Sequence, residues 1–157
     1  VAAELFSTMT RVSMVRVPYK GGGPALTAVM GGQTQLMFAT GGSARVHLDS
    51  GRIKALAVTS TEPSPLFPGL PAVAQTLPGF EVIGWYGVIG PANLPRPIVT
   101  RLHGELVKIL NQPDVRERII NDGSEPVGSS PDDFRQFMLA DMAKWAKVVK
   151  EGGIKAE

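Results

Sequence analysis

Val15-Arg16-Val17-Pro18-Tyr19-Lys20-Gly21-Gly22-Gly23-Pro24-Ala25-Leu26 is the stretch against which the rest of the chain is read. Residues 14–17 carry alternating valines, within a short first strand predicted over residues 12–17. Pro18 has no N–H to give a ladder, so the strand ends there or lies at an edge. Three glycines follow, and Pro24 opens a predicted helix over residues 24–30, since proline is favoured at the first helical position. The result is a strand, a turn with almost no side-chain bulk, and a helix N-terminus. A small anion can approach backbone N–H groups at the positive end of such a helix, and Lys20 adds a full charge beside the turn. The plain reading is that glycine-rich βα turns are common and many bind nothing. No Gly-Lys-Ser/Thr follows as in a P-loop, and no G-x-G-x-x-G dinucleotide pattern is present.

Working outward, residues 2–9 have a helical pattern, with Leu5, Phe6 and Met9 on one face. Residues 34–38 and 53–59 read as further strands. The apolar run Leu36-Met37-Phe38 suits a strand buried on both faces. Between them, Ala39-Thr40-Gly41-Gly42-Ser43 is a second small-residue turn, with Ser43 a candidate cap for a helix over residues 44–48 that Gly51 stops. Three βα units in succession predict an α/β fold with a parallel or mixed sheet. Loops at the carboxyl ends of such strands line a ligand crevice, which brings the turns at residues 20–23 and 39–43 to one edge. Residues 63–78 hold five prolines and predict an irregular loop with a short helix over residues 72–77. A β-like run, residues 81–89, contains Trp85 and Tyr86 between Gly84 and Gly87. Beyond residue 90 come three amphipathic helices: residues 97–111, residues 113–121, and one starting at Ser129-Ser130-Pro131-Asp132-Asp133 and running to Gly152.

Composition narrows the function classes. The chain has 157 residues, a net charge of +2 and no cysteine. Disulfides, thiolate metal sites and cysteine nucleophiles are therefore excluded. Residues 1–100 carry seven Lys/Arg and four Asp/Glu, while residues 101–157 carry nine and ten. Neither part has the dense basic stripe that nucleic-acid binding needs. The two histidines, His47 and His103, are too few to propose a metal site, and no cofactor is expected. No G-x-S-x-G elbow or H-E-x-x-H motif is present, and Ser43 and Ser60 have no evident base. His103 is expected on a solvated helix face. The opening Val1-Ala2-Ala3-Glu4-Leu5-Phe6 reads as the interior of a helix, so the expectation is that residue 1 is not the natural start.

Several motifs, in order, resemble one family. They are Val17-Pro18-Tyr19-Lys20-Gly21, Gly31-Gly32-Gln33, Leu36-Met37-Phe38, Ala55-Leu56-Ala57-Val58-Thr59-Ser60, Leu70-Pro71-Ala72-Val73, Pro78-Gly79-Phe80-Glu81, Trp85, Glu125-Pro126-Val127-Gly128-Ser129 and Trp145-Ala146-Lys147-Val148-Val149-Lys150. Together they resemble the extracytoplasmic (Bug-type) solute receptors of tripartite tricarboxylate transporters, in the second half of such a receptor. The resemblance implies a periplasmic binding protein-like fold of two α/β lobes with the ligand between them. Residues 1–83 would be most of the second lobe, residues 84–96 a crossing strand and hinge, and residues 97–157 helices that return to a first lobe preceding residue 1. It implies a periplasmic location, with a signal peptide upstream, and no enzymatic activity. The function implied is capture of a small carboxylate, di- or tricarboxylic or aromatic, for membrane transporter subunits. The alternative is a sensor of the same fold presenting the acid to a membrane signalling protein. The ligand-facing residues implied are Lys20, Gly21, Gly22, Gly23, Phe38, Ala39, Thr40 and Gly41. Many members have Asp where this chain has Ala39, which points away from an amino-acid ligand. Helix faces meant for the other lobe imply that the chain self-associates or pairs with that lobe.

Overall fold

The computed structural model describes residues 1–151. Seven helices run in chain order: α1 (Ala2–Thr10), α2 (Gly22–Met30), α3 (Gly41–Asp49), α4 (Val73–Thr76), α5 (Arg96–Leu110), α6 (Pro113–Asn121) and α7 (Pro131–Glu151). The expected end of the last helix at Gly152 lies outside the described residues.

The helix ends follow local chemistry. At the close of α2, the N–H of Gly32 donates to Val29 O at 3.1 Å and that of Gln33 to Ala28 O at 2.9 Å. The close of α3 repeats the pattern, with Gly51 donating to Leu48 O at 2.9 Å and Arg52 to His47 O at 3.0 Å. So does the close of α6, with Gly123 to Ile120 O and Ser124 to Ile119 O. These are Schellman closures, each satisfying carbonyls that the helix leaves orphaned. At the start of α7, Ser130 Oγ accepts the Asp133 N–H at 3.1 Å, while Asp132 and Asp133 place negative charge at the positive end of the helix.

Two helix starts differ from expectation. Helix α2 begins at Gly22, so Gly22 and Gly23 lie within its first turn and Pro24 is its third residue. First-turn N–H groups have no intrahelical partner, so proline is tolerated there as well. Helix α3 begins at Gly41 with Thr40 as its N-cap residue. Ser43 is therefore not the cap; its Oγ donates back to Thr40 O at 2.9 Å.

The expected sheet is the larger correction. Among the described residues the β pairing consists of one parallel bridge, Val58 with Ala72, held by Val58 N–H to Pro71 O and Val73 N–H to Val58 O, both 2.9 Å. Residues 12–17, 34–38 and 81–89 form no ladder. A strand is defined by a partner about 4.8 Å away, and these stretches lie beside none. Several of their apolar side chains are left in solvent, Val15 at 91% and Tyr86 at 86% exposure. Residues 81–89 are instead anchored at one end, where Val82 N–H reaches Thr59 O at 2.9 Å and Thr59 Oγ1 donates to Val82 O at 2.8 Å.

The core is small and aromatic. Phe80 is fully buried and packs on Phe6 and Phe38, with ring centroids 5.9 and 6.2 Å away. Phe6 and Phe38 close the triangle at 6.0 Å. Leu26, Ala28, Ala44 and Ala72 are also buried, so the inward faces of α2 and α3 join the core. That packing sets the two helices side by side.

Candidate functional site

The starts of α2 and α3 meet. A Cβ placed on Gly22 would touch Ser43 Cβ and Oγ, each at 3.9 Å. The residue before α2, Gly21, has φ 102° and ψ 176°, a conformation open to glycine and costly for side-chain-bearing residues. This bend, with Gly21 N–H on Tyr19 O at 2.9 Å, turns the chain from the valine-rich segment into the helix. The N–H groups of Gly22 and Gly23 in α2, and of Gly41, Gly42 and Ser43 in α3, are first-turn donors without intrahelical acceptors. Two helix dipoles thus present their positive ends to one small region. Lys20 is exposed next to it.

The start of α3 is walled on its other side. A Cβ on Gly41 would meet Gly123 O at 2.7 Å and Phe67 Cζ at 2.9 Å. One on Gly42 would meet Asp122 Oδ2 at 2.7 Å. The closing turn of α6 therefore lies directly over the first turn of α3, which only glycines at both positions allow. Phe67 is held in turn by Arg45, whose guanidinium lies 5.6 Å from the ring centroid and donates to Leu66 O at 3.1 Å. The Asp122 carboxylate complements the α3 dipole from within the chain. The first turn of α2 carries no acid and Lys20 precedes it, so positive charge gathers on that side.

Of the residues singled out in the sequence, Lys20, Gly21, Gly22, Gly23, Thr40 and Gly41 come together around the paired helix starts. Ala39 is exposed on the approach to Thr40. The ring of Phe38 is committed to Phe6 and Phe80, so its contribution to this region is backbone. Sequence reading missed Asp122, Gly123 and Phe67; Asn121-Asp122-Gly123 signals a helix end but not what it packs against. It also missed the position of Gly84, where a Cβ would lie 3.9 Å from Thr40 Cγ2. Two apolar grooves lie elsewhere on the surface. One, about 370 Å³, runs between Phe6, Leu56, Ala72 and Leu77, and the other follows Ile98 and Leu102 on α5.

His103 and Ser60 have structural roles. His103 is not simply solvated: its Nε2 lies 3.1 Å from Ser129 O, tying α5 to the segment before α7. Ser60 Oγ donates to Glu62 O at 2.7 Å. Among the described residues no cluster of three His, Asp or Glu could hold a metal ion. No described helix is long and apolar enough to cross a membrane.

Two solved structures superpose on nearly the whole chain. One, from R. palustris, is Rpa4515 with adipate: TM-score 0.88, 35% identity, covering 97% of this chain and 51% of that one. The other is the periplasmic binding protein BugD: TM-score 0.81, 26% identity, covering 99% of this chain and 53% of that one. The fold is thus that of a periplasmic binding protein. Residues 1–154 match the family described as tripartite tricarboxylate transporter family receptor, and the chain belongs to that family, one of receptors rather than enzymes. A curated relative, BugT of Bordetella pertussis, is 32% identical over 153 residues, which are 97% of this chain and 47% of BugT. The chain spans about half the length of these three relatives.

Proposed function

We propose that the chain forms the ligand-holding half of an extracytoplasmic receptor that captures a small dicarboxylate or tricarboxylate for a tripartite transporter, in the periplasm. The observation that carries this reading is the meeting of two helix starts, where a Cβ added to Gly22 would lie 3.9 Å from Ser43, beside Lys20. Backbone N–H groups at converging positive helix ends are suited to a carboxylate. A related receptor structure holds adipate, a ligand with two such groups. One carboxylate sits at Gly21–Gly23 with Lys20; Ala39, Thr40 and Gly41, with the Phe38 backbone, form the second wall. Because Ala39 brings no charge and Asp122 is engaged at Gly42, an acid without an amino group fits best.

In the same reading, residues 1–83 make most of one lobe, residues 84–96 a crossing connection, and residues 97–157 a segment that packs on another lobe. The exposed valines and isoleucines along the unpaired stretches belong against that lobe or against a second copy of the chain. The test is calorimetric titration with adipate, citrate and glutamate. Binding of adipate or citrate with little binding of glutamate supports the proposal; preference for glutamate, or for a neutral sugar, overturns it. A half-site lacks the enclosure that hinge closure gives a two-lobed receptor, so the affinity expected is weaker than micromolar.

A further inference from the structure

Residues 81–87 run along α7 in the reverse direction, and residues 81, 85 and 87 each make a specific contact with it. Glu81 takes a hydrogen-bonded ion pair from Lys144 Nζ at 2.9 Å. Trp85 Nε1 donates to Asp141 Oδ2 at 3.0 Å. The Trp85 ring meets Phe134 and Phe137 edge to face, with centroids at 5.4 and 5.7 Å. At Gly87 the Phe134 ring occupies the space of a missing side chain, with Cε1 only 2.8 Å from where a Cβ would stand. Residues 134, 137, 141 and 144 recur at three and four, so they form one stripe of the helix. The other side of this same segment carries Gly84, where an added Cβ would lie 3.9 Å from Thr40 Cγ2 at the start of α3.

We infer that Trp85 is a positioning residue: clamped to α7 by Asp141, Phe134 and Phe137, it sets where Gly84 stands against Thr40, and so couples the C-terminal helix to the paired helix starts. This rests on the reading of Thr40 as part of the ligand site. The physical argument is that Trp85 and Gly84 are adjacent on an extended segment that has no ladder to hold it. Its place beside Thr40 is therefore fixed by contacts at its neighbours, and the richest of these are on α7. An aromatic pair contributes about 0.5–1.5 kcal/mol beyond burial, and a hydrogen bond to a charged acceptor about 1.5–3 kcal/mol. Movement of α7 relative to α3 would pass through this segment to the site, and ligand seated at the site would in turn bias α7.

The experiment compares Asp141→Leu and Asp141→Asn in the 157-residue chain, with Trp145→Phe as background so that Trp85 is the sole tryptophan. The readouts are Trp85 emission, the amide resonances of Gly41, Gly42 and Ser43, and adipate affinity. The carboxamide of Asn still accepts the indole N–H, whereas Leu does not. Asp141→Leu is expected to red-shift Trp85 emission, move the three amide resonances and weaken adipate by roughly three- to tenfold; Asp141→Asn recovers most of each. Gly87→Ala, which drives a methyl group into Phe134, is expected to move the same resonances. If emission shifts in Asp141→Leu while the amides at residues 41–43 stay in place, or if Asn behaves as Leu does, the coupling is overturned. Failure of adipate to bind the unsubstituted chain overturns the ligand reading instead, and the amide resonances still decide the coupling.

Discussion

At Gly41 the space for a side chain is already filled by Gly123 O and the Phe67 ring, whereas a Cβ added at Gly23 would meet nothing within 4 Å. The two glycines occupy corresponding early turns of neighbouring helices, yet the same substitution has opposite signs. Gly41→Ala forces the α6 closing turn away from α3 and is expected to cost about 1–3 kcal/mol. Gly23→Ala, in an open helical position, is expected to gain about 0.4–1 kcal/mol by restricting the unfolded chain. Chemical denaturation of the two variants checks both; equal effects would contradict the packing described for α3. Phe80→Ala removes the fully buried member of the aromatic triangle and is expected to cost about 3–5 kcal/mol, read by the same measurement. The glycine turn, Lys20 and the small residues at positions 39–41 were legible in the sequence because they are local. That Gly41 is needed to admit Gly123 was not, since the two are far apart in the chain and no pattern in either announces the other.

Among the elements, the helices were legible and the strands were not, for a reason that lies in the hydrogen bonds. A helix satisfies its backbone within itself, so Pro113 at the start of α6, Ser130 before α7 and the glycines closing α2 and α3 suffice to place the ends. A strand is satisfied by a neighbour, and residues 12–17 or 81–89 carry the valines and aromatics of strands without one among the described residues. Trp85 was visible as an unusual residue in such a run; its partner Asp141 was not, because α7 presents that stripe only once folded. The helix starts also make opposite predictions for the base and the acid beside them. Lys20→Gln is expected to weaken dicarboxylate binding about two- to fivefold, in keeping with an exposed charge contact, and to reduce its salt dependence. Asp122→Asn relieves a negative charge beside α3 and is expected to strengthen dicarboxylate binding about twofold while lowering stability, since the acid complements the helix dipole. Titrations at two salt concentrations separate these outcomes; weaker binding in Asp122→Asn would contradict the field assigned to α3.

Taken whole, the chain exposes 11528 Å², where a compact monomer of its mass exposes about 7,600 Å². The excess is larger than the roughly 1,200–2,000 Å² a stable protein interface buries. It lies partly in Ile98, Leu102 and Ile109 on α5 and in Ile83, Val88 and Ile89 beyond the Trp85 clamp. A surface of this kind drives association, so light scattering of the 157-residue chain is expected to give a dimer or larger assembly, and a sharp monomer peak near 16.7 kDa would contradict it. The family was legible in the ordered motifs, but how much of the apolar surface stays uncovered is a property of the assembled molecule and not of any motif.

The central claim is that converging starts of α2 and α3 hold a carboxylate through backbone N–H groups. Adipate titration followed by amide resonances of the uniformly labelled chain tests it most directly. The account predicts saturable shifts centred on Gly21, Gly22, Gly23, Gly41, Gly42 and Ser43, with a monovalent acid such as acetate moving only the α2 set. Shifts centred instead on the groove between Phe6 and Leu77, or on α5, with the helix starts unmoved, would contradict it.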